Sequence, residues 1–265
     1  MSTRPKLLLL DGTSVVRRVY EAVPGDDGPA RVDGAITASM HSIKRALGEH
    51  LPTHFLAAFD DGGPTWRHQL LPTYKSTRKP MYEGLRAALP RLYRDMESLG
   101  FSWVSPPGVE ADDVIGTIAH RAAARGFEVV IVSNDVDMCA LLSANVRVYN
   151  HFAREWRDET WLASQIGITP AQVSAYIGLV GEEKKSVPGV AGVGPKTAAK
   201  LLAQHGDLDG VLAAAAEMPG KIGERLRAGA EACRLSQALG TLKLDVDLSI
   251  RPSQLALPNR NRLAA

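Results

Sequence analysis

Short apolar runs alternate with helix-like segments along the first 150 residues of the chain. The runs are residues 7–10, 54–59, 99–104, 128–132 and 146–149, and their length is typical of strands buried on both faces of a parallel sheet. Between them, apolar positions recur every three or four residues, which predicts helices. These helical segments are residues 33–49, 83–98, 110–125 and 135–142. The alternation predicts an α/β fold with a mostly parallel central sheet and helices on both faces.

The pattern changes after about residue 150. Thr169 and Pro170 mark the start of a helix, with Thr as the N-cap and Pro at the first helical position. The chain that follows is rich in Ala and Leu at helical spacing and contains no convincing strand. We therefore predict an α/β domain over residues 1–160, a helical subdomain over 161–245 and a loosely held tail over 246–265.

Composition narrows the class of protein. The chain has 265 residues, of which 45% are hydrophobic and 23% charged, as in ordinary globular proteins. No apolar run approaches the roughly 18 residues that span a bilayer, and the apolar stretch near the N-terminus is too short for a signal peptide. Cys139 and Cys233 stand 94 positions apart, which disfavours a disulfide framework and a zinc cluster. We expect a cytoplasmic protein.

Acidic residues cluster at the ends of the predicted strands. They are Asp11, Asp60, Asp61, Asp135 and Asp137 directly after strands, and Glu110, Asp112 and Asp113 at the start of the helix that follows the strand at 99–104. Because the carboxyl ends of parallel strands meet at one edge of a sheet, these side chains should converge. So many carboxylates close together need a counter-charge. Oxygen ligands without paired His or Cys favour Mg²⁺ or Mn²⁺ over zinc.

Each acidic residue taken alone has an ordinary explanation. A carboxylate in the first turn of a helix interacts favourably with the helix dipole, and an Asp after a strand is commonly a turn former or an N-cap. Four separate clusters that converge on one sheet edge are not explained in this way. The set as a whole therefore favours a metal site.

A basic stretch follows the second predicted strand. Residues 64–94 contain seven basic side chains and one acid, a net charge of +6, whereas the whole chain carries only +2. The near-neutral total thus conceals a basic region beside an acidic remainder. Interleaved aromatic residues are typical of nucleic-acid binding. We predict phosphate binding by Arg67, Tyr74, Lys75, Arg78 and Lys79, and a solvated helix face for Arg91 and Arg94.

A glycine-rich segment follows in the helical part of the chain. Residues 188–200 read Pro-Gly-Val-Ala-Gly-Val-Gly-Pro-Lys-Thr-Ala-Ala-Lys, which is typical of a helix–hairpin–helix. Its glycines let backbone approach a phosphate, and the N–H groups of the second helix face that phosphate. Such a motif binds DNA backbone without reading sequence. The residues predicted to bind DNA here are Gly192, Val193, Gly194, Pro195, Lys196 and Thr197.

Together these motifs resemble the 5′-nuclease superfamily, which comprises the flap endonucleases and the 5′-exonuclease domain of bacterial DNA polymerase I. The motifs occur in family order and at family spacing over residues 5–245. They are Leu-Asp-Gly (10–12), Phe-Asp (59–60), Trp-Arg-His (66–68), Tyr-Lys-x-x-Arg (74–78), Glu-Ala-Asp-Asp (110–113), Asn-Asp-x-Asp (134–137) and the hairpin. Residues 187–196 are especially close to the stand-alone Xni, or exonuclease IX-like, branch.

The resemblance implies a PIN-like, or resolvase-like, nuclease domain with a helical arch over residues 64–94, and a helix–hairpin–helix at about 187–204. It implies a first metal region formed by Asp11, Asp60, Glu110, Asp112 and Asp113, and a second served by Asp135 and Asp137. As catalytic residues, Lys75 and Arg78 would contact the scissile phosphate. A K⁺ ion would lie between a DNA phosphate and the backbone carbonyls of Leu179, Val180, Pro188, Val190 and Val193.

One stretch departs from the family pattern. The family usually has two aspartates before its Pro-Gly-Val, and they complete the second metal site. Here Glu182 stands at the first position as a further candidate ligand, and Lys185 stands at the second, where its charge would repel a metal. The stand-alone branch also lacks these acids.

The resemblance implies a monomeric, structure-selective 5′-nuclease of DNA repair or replication, which hydrolyses flapped or branched DNA with Mg²⁺-activated water. Mn²⁺ would be a substitute, and no motif identifies a clamp or polymerase partner. An alternative is a flap-binding protein with weak or no nuclease activity, because Lys185 leaves the second metal site incomplete. An RNase of the PIN type is a further alternative, which the long basic loop and the hairpin disfavour.

Overall fold

The computed structural model describes residues 4–258 as a six-stranded sheet, helices on both of its faces, and a helical C-terminal part. The strands are β1 (Lys6–Asp11), β2 (His54–Ala58), β3 (Trp103–Val104), β4 (Glu128–Val132), β5 (Val146–Asn150) and β6 (Glu155–Arg157). The helices are α1 (Gly12–Ala22), α2 (Pro29–His50), α3 (Trp66–Leu70), α4 (Glu83–Ser98), α5 (Ala111–Ala124), α6 (Glu159–Gln165), α7 (Val173–Val180), α8 (Pro195–His205), α9 (Leu208–Ala214), α10 (Gly220–Ala228) and α11 (Ala230–Gly240). None of the helices within these described residues is long and apolar enough to cross a membrane.

The sheet confirms the predicted α/β class. Its strand order is β3-β2-β1-β4-β5-β6, and all pairs are parallel except β5 with the short strand β6. Strand β1 therefore lies at the centre, with β2 on one side and β4 on the other. The strands that follow β1 in the chain, β2 and β3, lie on one side of it, and the later strands β4, β5 and β6 lie on the other. The strand order reverses at β1, so a crevice forms at the carboxyl ends of β1, β2 and β4.

The four consecutive leucines of β1 are explained by burial on both faces. Leu8 and Leu10 join a core formed with α1, α2 and α4, whereas Leu7 and Leu9 face α5 in a second core. All four are at most 1% exposed. A strand in such a position has no polar face, which is why the run shows no alternation.

The C-terminal helices have a core of their own. Residues of α7, α8, α9 and α11 bury apolar side chains together, and this core also takes in Tyr74 and Cys139 from the α/β part. The helix predicted from Thr169 is confirmed, with its first turn as a 3₁₀ helix over Pro170–Gln172 and α7 directly after it. The exact division at residue 160 stays a prediction.

Two local expectations were wrong, and one helix was not predicted. The strand predicted over 99–104 is only two residues long, because Gly100 takes a positive φ of 73° and ends α4 in a turn. Residues 136–141 form a short 3₁₀ helix instead of the α-helix predicted over 135–142. Helix α1, which the pattern did not predict, is rich in valine, and β-branched residues are poor helix formers.

The region predicted as a helical arch, residues 64–94, consists of two helices joined by a loop. Helix occurs only in α3 and α4, and residues 71–82 between them form turns and extended segments. Pro72 and Pro80 lie in this connection, and proline cannot continue a helix from its preceding turn. The basic residues Lys75, Arg78 and Lys79 are therefore carried by a loop.

The loosely held tail was predicted over 246–265, and up to residue 258 this prediction was wrong. Phe55 N–H donates to the carbonyl of Leu255 (2.8 Å), and Leu257 N–H donates to the carbonyl of Thr53 (3.0 Å). Leu255 is buried in the same core as α5. The segment is held because it covers apolar surface that the short strand β3 leaves open. The remaining residues of the predicted tail, 259–265, lie outside the described residues.

Candidate metal and DNA-binding site

The ends of β1 and β2 hold Asp11 and Asp60 in defined positions. Asp11 is the N-cap of α1, where its carboxylate accepts from Ser14 N–H (2.9 Å) and from Ser133 Oγ (3.1 Å). Asp60 accepts from Ala111 N–H at the start of α5 (2.9 Å), and its own N–H donates to Thr13 Oγ1 (2.8 Å). Each carboxylate is thus oriented by the turn that follows the neighbouring strand.

A cavity of about 680 Å³ lies beyond these strand ends. Its acidic lining residues are Asp11, Asp60, Asp112, Asp135, Asp137 and Glu182, and its basic ones are Lys75, Arg78, Lys79, Lys184 and Lys185. Residues of α7 complete the wall on the side of the C-terminal helices. The predicted convergence of strand-end carboxylates in one place is therefore present, and basic residues line the same space.

Asp112 and Asp113 have opposite surroundings although they are neighbours. Successive residues of a helix point about 100° apart, so only one of them can face the cavity. Asp112 lines it. Asp113 is completely buried and accepts from Arg67, Trp66 Nε1 (2.8 Å) and Lys243 N–H (2.9 Å). The prediction of Asp113 as a metal ligand is wrong, because both of its oxygens serve this buried network.

Arg67 and Tyr74 are structural residues, so their prediction as DNA-binding residues is also wrong. Arg67 is 2% exposed and holds Asp113 through two hydrogen bonds, Nη1 to Oδ2 (2.7 Å) and Nη2 to Oδ1 (2.9 Å). These partners raise the pKa of Arg67 above its usual value, although burial alone would lower it. Tyr74 is 3% exposed, and its hydroxyl donates to Glu110 (3.3 Å). Neither side chain can reach a phosphate at the surface.

Glu110 lies between two cations. Lys75 Nζ donates to its Oε1 (2.8 Å), and Arg67 Nη1 donates to its Oε2 (3.1 Å). Lys75 reaches this position from a left-handed backbone conformation with φ of 56°, which is uncommon for a residue other than glycine. Such strain is often found at functional sites. The lysine ammonium lies at the boundary of the cavity, beside the carboxylates.

Lys185 occupies the centre of the predicted second metal site. Its Nζ lies 2.8 Å from Asp135, 2.6 Å from Asp137 and 3.1 Å from Glu182. Burial would lower the pKa of Lys185, but the three carboxylates outweigh it and hold that pKa well above its usual value. The lysine is therefore fully charged. It supplies one positive charge where the resemblance places a second cation.

The remaining carboxylates lack sufficient counter-charge. Burial and the nearby Asp60 and Asp135 raise the pKa of Asp11 to about 6. Burial and the charges of Asp11 and Asp135 likewise raise the pKa of Asp112 well above its usual value. A cation bound among these groups would remove the repulsion.

The chemistry of these donors fits a hard divalent cation, since all are carboxylate oxygens. Within residues 4–258, no three His, Cys, Asp or Glu side chains converge closely enough to form a complete metal site in this conformation. Lysine ammonium groups lie among the carboxylates instead. The residues best placed to hold a cation are Asp11, Asp60, Asp112 and Asp135, and the metal ligand set stays a prediction.

The loop of residues 71–82 borders the cavity. Lys75 N–H donates to the carbonyl of Lys185 (2.8 Å), and Thr77 Oγ1 donates to the carbonyl of Glu183 (3.2 Å). Arg78 and the exposed Lys79 follow directly in this loop and line the cavity. The loop therefore places positive charge in the same cavity as the carboxylates.

The glycine-rich segment forms the predicted helix–hairpin–helix between α7 and α8. Val190 and Val193 are buried anchors, while Gly192, Gly194, Pro195 and Lys196 are exposed and Thr197 is half-buried. Gly194 precedes α8 as its N-cap, and space for a Cβ on it is open. The hairpin thus presents backbone and the N-terminus of α8 to solvent.

The carbonyls predicted to hold K⁺ come from both sides of this hairpin. Val190 N–H donates to the carbonyl of Leu179 (2.9 Å) at the end of α7, which joins the two segments. Gly181 and Gly189 touch so closely that a Cβ on either would collide with the other's backbone. The structure brings Leu179 and Val190 together, while K⁺ binding stays a prediction.

Several polar side chains near the carboxylates were not predicted from the sequence. Thr13 and Ser133 position Asp60 and Asp11, as described above. Arg17 and Arg86 lie in a second cavity next to the first. Thr13 and Arg17 follow Asp11 by two and six positions in a helix that was not predicted, whereas Arg86 belongs to the basic stretch of residues 64–94.

Two family models match the chain. The first describes the N-terminal resolvase-like domain of 5′-3′ exonucleases and matches residues 6–175; the second describes their C-terminal SAM fold and matches residues 168–262. The chain is 37% identical over 254 residues to flap endonuclease Xni of Serratia proteamaculans, a match that covers 95% of this chain and 98% of that relative.

Solved structures share the fold. A zinc-bound structure of T5 5′-exonuclease superposes with a TM-score of 0.74 at 19% identity and covers 89% of either chain. The catalytic core of Rad2 in complex with a DNA substrate superposes with a TM-score of 0.59 at 13% identity, over 93% of this chain and 82% of that one. At these identities the likeness concerns the fold alone.

Proposed function

The chain belongs to the 5′-3′ exonuclease family, and from this premise we propose that it is a structure-selective 5′-nuclease acting on flapped or branched DNA. The observation that carries the proposal is the cavity in which strand-end carboxylates face the basic loop. A phosphodiester placed between Asp112 and Arg78 would meet ligands for a metal on one side and positive charge on the other. The relatives of this chain are named flap endonucleases, which agrees with this substrate.

We further propose Mg²⁺ as the cofactor, held by Asp11, Asp60 and Asp112, with Asp135 on the far side. When bound there, such a cation would activate water and offset charge on the phosphate. The protein itself orients the carboxylates through Ser14, Ser133 and the N-terminus of α5. It keeps Asp113 away from the cation by pairing it with Arg67.

Lys75 and Arg78 would act on the phosphate from the loop side. Arg78 has a planar guanidinium that can donate two parallel hydrogen bonds to phosphate oxygens. Lys75 donates to Glu110 and lines the cavity, and we propose that its ammonium stabilises negative charge that develops on the phosphate. Because the loop is tied to Lys185 and Glu183, these cations are positioned before the substrate arrives.

The test of this function is cleavage of a 5′-labelled flap duplex with Mg²⁺, compared with the same reaction in EDTA. We expect products that end at or near the junction and no cleavage in EDTA. Tight binding of the flap without any cleavage would support the second candidate, a flap-binding protein. The observation that favours this second candidate is Lys185 between Asp135 and Asp137.

The role of Lys185 can be tested by metal binding. Replacing Lys185 with Ala should raise the affinity for Mn²⁺ by about tenfold or more, because a positive charge within 3 Å of the ligands opposes a cation by more than ~1.4 kcal/mol. Calorimetric titration with Mn²⁺ measures this without any reaction. Lys184→Ala is the matched control, since Lys184 is exposed and makes no ion pair among residues 4–258. Equal affinities in both variants would contradict the role given to Lys185.

The hairpin is proposed to hold the duplex by its backbone, together with K⁺. Gly194→Val should weaken binding of duplex DNA by about tenfold, or ~1.4 kcal/mol, at every sequence alike. The folded protein has room for the side chain, so the effect would come from keeping the phosphate away. Fluorescence anisotropy on two unrelated duplexes checks this prediction. Gly48→Val, on an exposed and equally open position of α2, should leave binding unchanged.

A further inference from the structure

A second cavity adjoins the one that holds the carboxylates. Its volume is about 410 Å³, and it shares Thr13, Asp60, Lys75, Arg78 and Lys79 with the first. The two cavities therefore lie on either side of the same wall of side chains. The second continues away from α7 and the hairpin, because no residue of the C-terminal helices lines it.

The far side of this second cavity is basic. Arg17 projects from α1, and Arg86 projects from the first turns of α4. The guanidinium of Arg86 lies directly over Gly62, where a Cβ would collide with it. Gly62 has a φ of 84° and follows Asp60 by two residues, so the backbone turn after β2 makes room for the arginine.

Four of the five lysine and arginine residues that line this cavity have no ion-pair partner in the described part of the chain. Arg67, Lys75 and Arg91 each form an ion pair with a carboxylate. By contrast, no carboxylate within residues 4–258 lies at ion-pair distance from the other four basic residues, which are Arg17, Arg78, Lys79 and Arg86. Unpaired cations gathered around one cavity are a feature of anion-binding sites.

Arg17 shows this lack of partners most directly. Its Nη1 donates to the carbonyl of Lys79 (3.0 Å), but its Nε is buried and has no hydrogen-bond partner among the described residues. Burial and the repulsion of Arg78 and Arg86 lower the pKa of Arg17. A buried donor without a partner is costly, so the hydrogen-bonding capacity of this guanidinium is not used up within the described residues.

The charge around the cavity fits one phosphate group. Lys75 is neutralised by Glu110, which leaves four cations against Asp60 and Asp61. Asp61 turns its carboxylate toward the N–H groups of Gly63 (3.0 Å) and Gly108 (3.3 Å). The excess of two positive charges equals the charge of a phosphate monoester near neutral pH, which is about −1.5 to −2.

We propose that Arg17 and Arg86, beside the Arg78 that both cavities share, form a second phosphate site, which takes a phosphate of the DNA strand on the 5′ side of the scissile bond. This inference rests on the proposed function, because that function places the duplex on the side of the hairpin and the flap on the opposite side. The phosphate is either the terminal monoester of a short flap or a diester within a longer one. Both present non-bridging oxygens that a guanidinium group can bind in pairs, although the monoester carries more negative charge than the diester.

The site is tested by DNA binding in EDTA, without any cleavage. The probe is a duplex with a single-nucleotide 5′ flap, labelled at its 3′ end and carrying either a 5′-phosphate or a 5′-hydroxyl. We expect the phosphorylated probe to bind about tenfold more tightly, and Arg86→Gln or Arg17→Gln to abolish the difference, as expected when a charge-assisted contact is lost. The control is Arg91→Gln, because Arg91 lies on the same helix but pairs with Asp33 at the surface.

A duplex with a long flap distinguishes the two sources of the phosphate. Suppose that the probes with a 5′-phosphate and a 5′-hydroxyl bind equally tightly, and that Arg86→Gln weakens binding only of the long-flap duplex. The site then holds an internal diester. If Arg86→Gln and Arg17→Gln bind every probe as the wild type does, the site does not exist. Arg86 donates no side-chain hydrogen bond among the described residues, so its variant should fold even where Arg17→Gln does not. Since binding is measured without a reaction, loss of this site and absence of nuclease activity are separate results.

Discussion

Replacing Asp112 with Asn should lower the rate of flap cleavage by about a thousandfold while DNA affinity is kept. Asp112 lines the cavity, and no described side chain within hydrogen-bonding distance neutralises it; its pKa is raised by burial and by Asp11 and Asp135. An amide would bind a divalent cation more weakly and leave transition-state charge without compensation. A loss of about 4 kcal/mol corresponds to this factor. Single-turnover cleavage of a labelled flap duplex measures the rate, and anisotropy in EDTA measures the affinity.

The matched control for this variant is Asp61→Asn. Asp61 follows Asp60 directly, but its carboxylate is exposed and turned toward backbone N–H groups. Its replacement should change the cleavage rate by no more than about threefold, or ~0.7 kcal/mol. If the Asp112 variant cuts flaps as fast as the wild type, the carboxylates of this cavity are not the catalytic site. If it no longer binds DNA, Asp112 has a role in folding that the cavity does not reveal.

The central part of the fold could be predicted because burial alone specifies it. A strand such as β1, which packs against helices on both faces, must be apolar throughout, and so must β4 beside it. Strands at the margin have weaker patterns: β3 has two residues, and β6 pairs only along one edge. The tail that covers the sheet beside α5 uses isolated apolar residues such as Leu255, which carry no periodic signal.

The candidate site could be predicted as a region but not residue by residue. Strand-end position is enough to gather Asp11, Asp60 and Asp135 at one sheet edge. It cannot tell whether Asp112 or Asp113 faces the cavity, because that depends on the rotation of α5 about its axis. Nor can a count of basic residues tell Arg67, which is buried beneath the site, from Arg78, which lines it. Both distinctions come from long-range contacts.

Charge pairing explains how a nearly neutral chain can act on a polyanion. Lys185 forms ion pairs with Asp135 and Asp137, and Lys75 forms one with Glu110, so these charges offset one another. The unpaired charges are then few and localised: carboxylates around Asp112 on one side, and guanidinium groups around Arg78 on the other. Cleavage of a phosphodiester between them needs both sets of groups. The carboxylates would bind a cation, and the guanidinium groups would bind the phosphate oxygens.

Replacing Arg67 with Met should lower the free energy of unfolding by about 3–5 kcal/mol, because it leaves the buried Asp113 without its ionic partner. The same guanidinium donates to the carbonyls of Leu239 (2.8 Å) and Thr241 (3.2 Å), at the end of α11. The residue thus also ties the last C-terminal helix to the α/β part. Denaturant unfolding followed by circular dichroism measures the free energy, and Tm should fall by roughly 6–15 °C.

The contrast with Arg91→Met separates a buried pair from an exposed one. Arg91 lies 2.6 Å from Asp33 at the surface, with both side chains about half exposed or more, so its loss should cost less than about 1 kcal/mol. A double variant, Arg67→Met with Asp113→Leu, should recover part of the loss because no isolated charge remains. Recovery stays partial since Trp66 Nε1 and Lys243 N–H then lose their acceptor. If Arg67→Met instead kept full stability and lost DNA affinity, Arg67 would be a phosphate-binding residue after all.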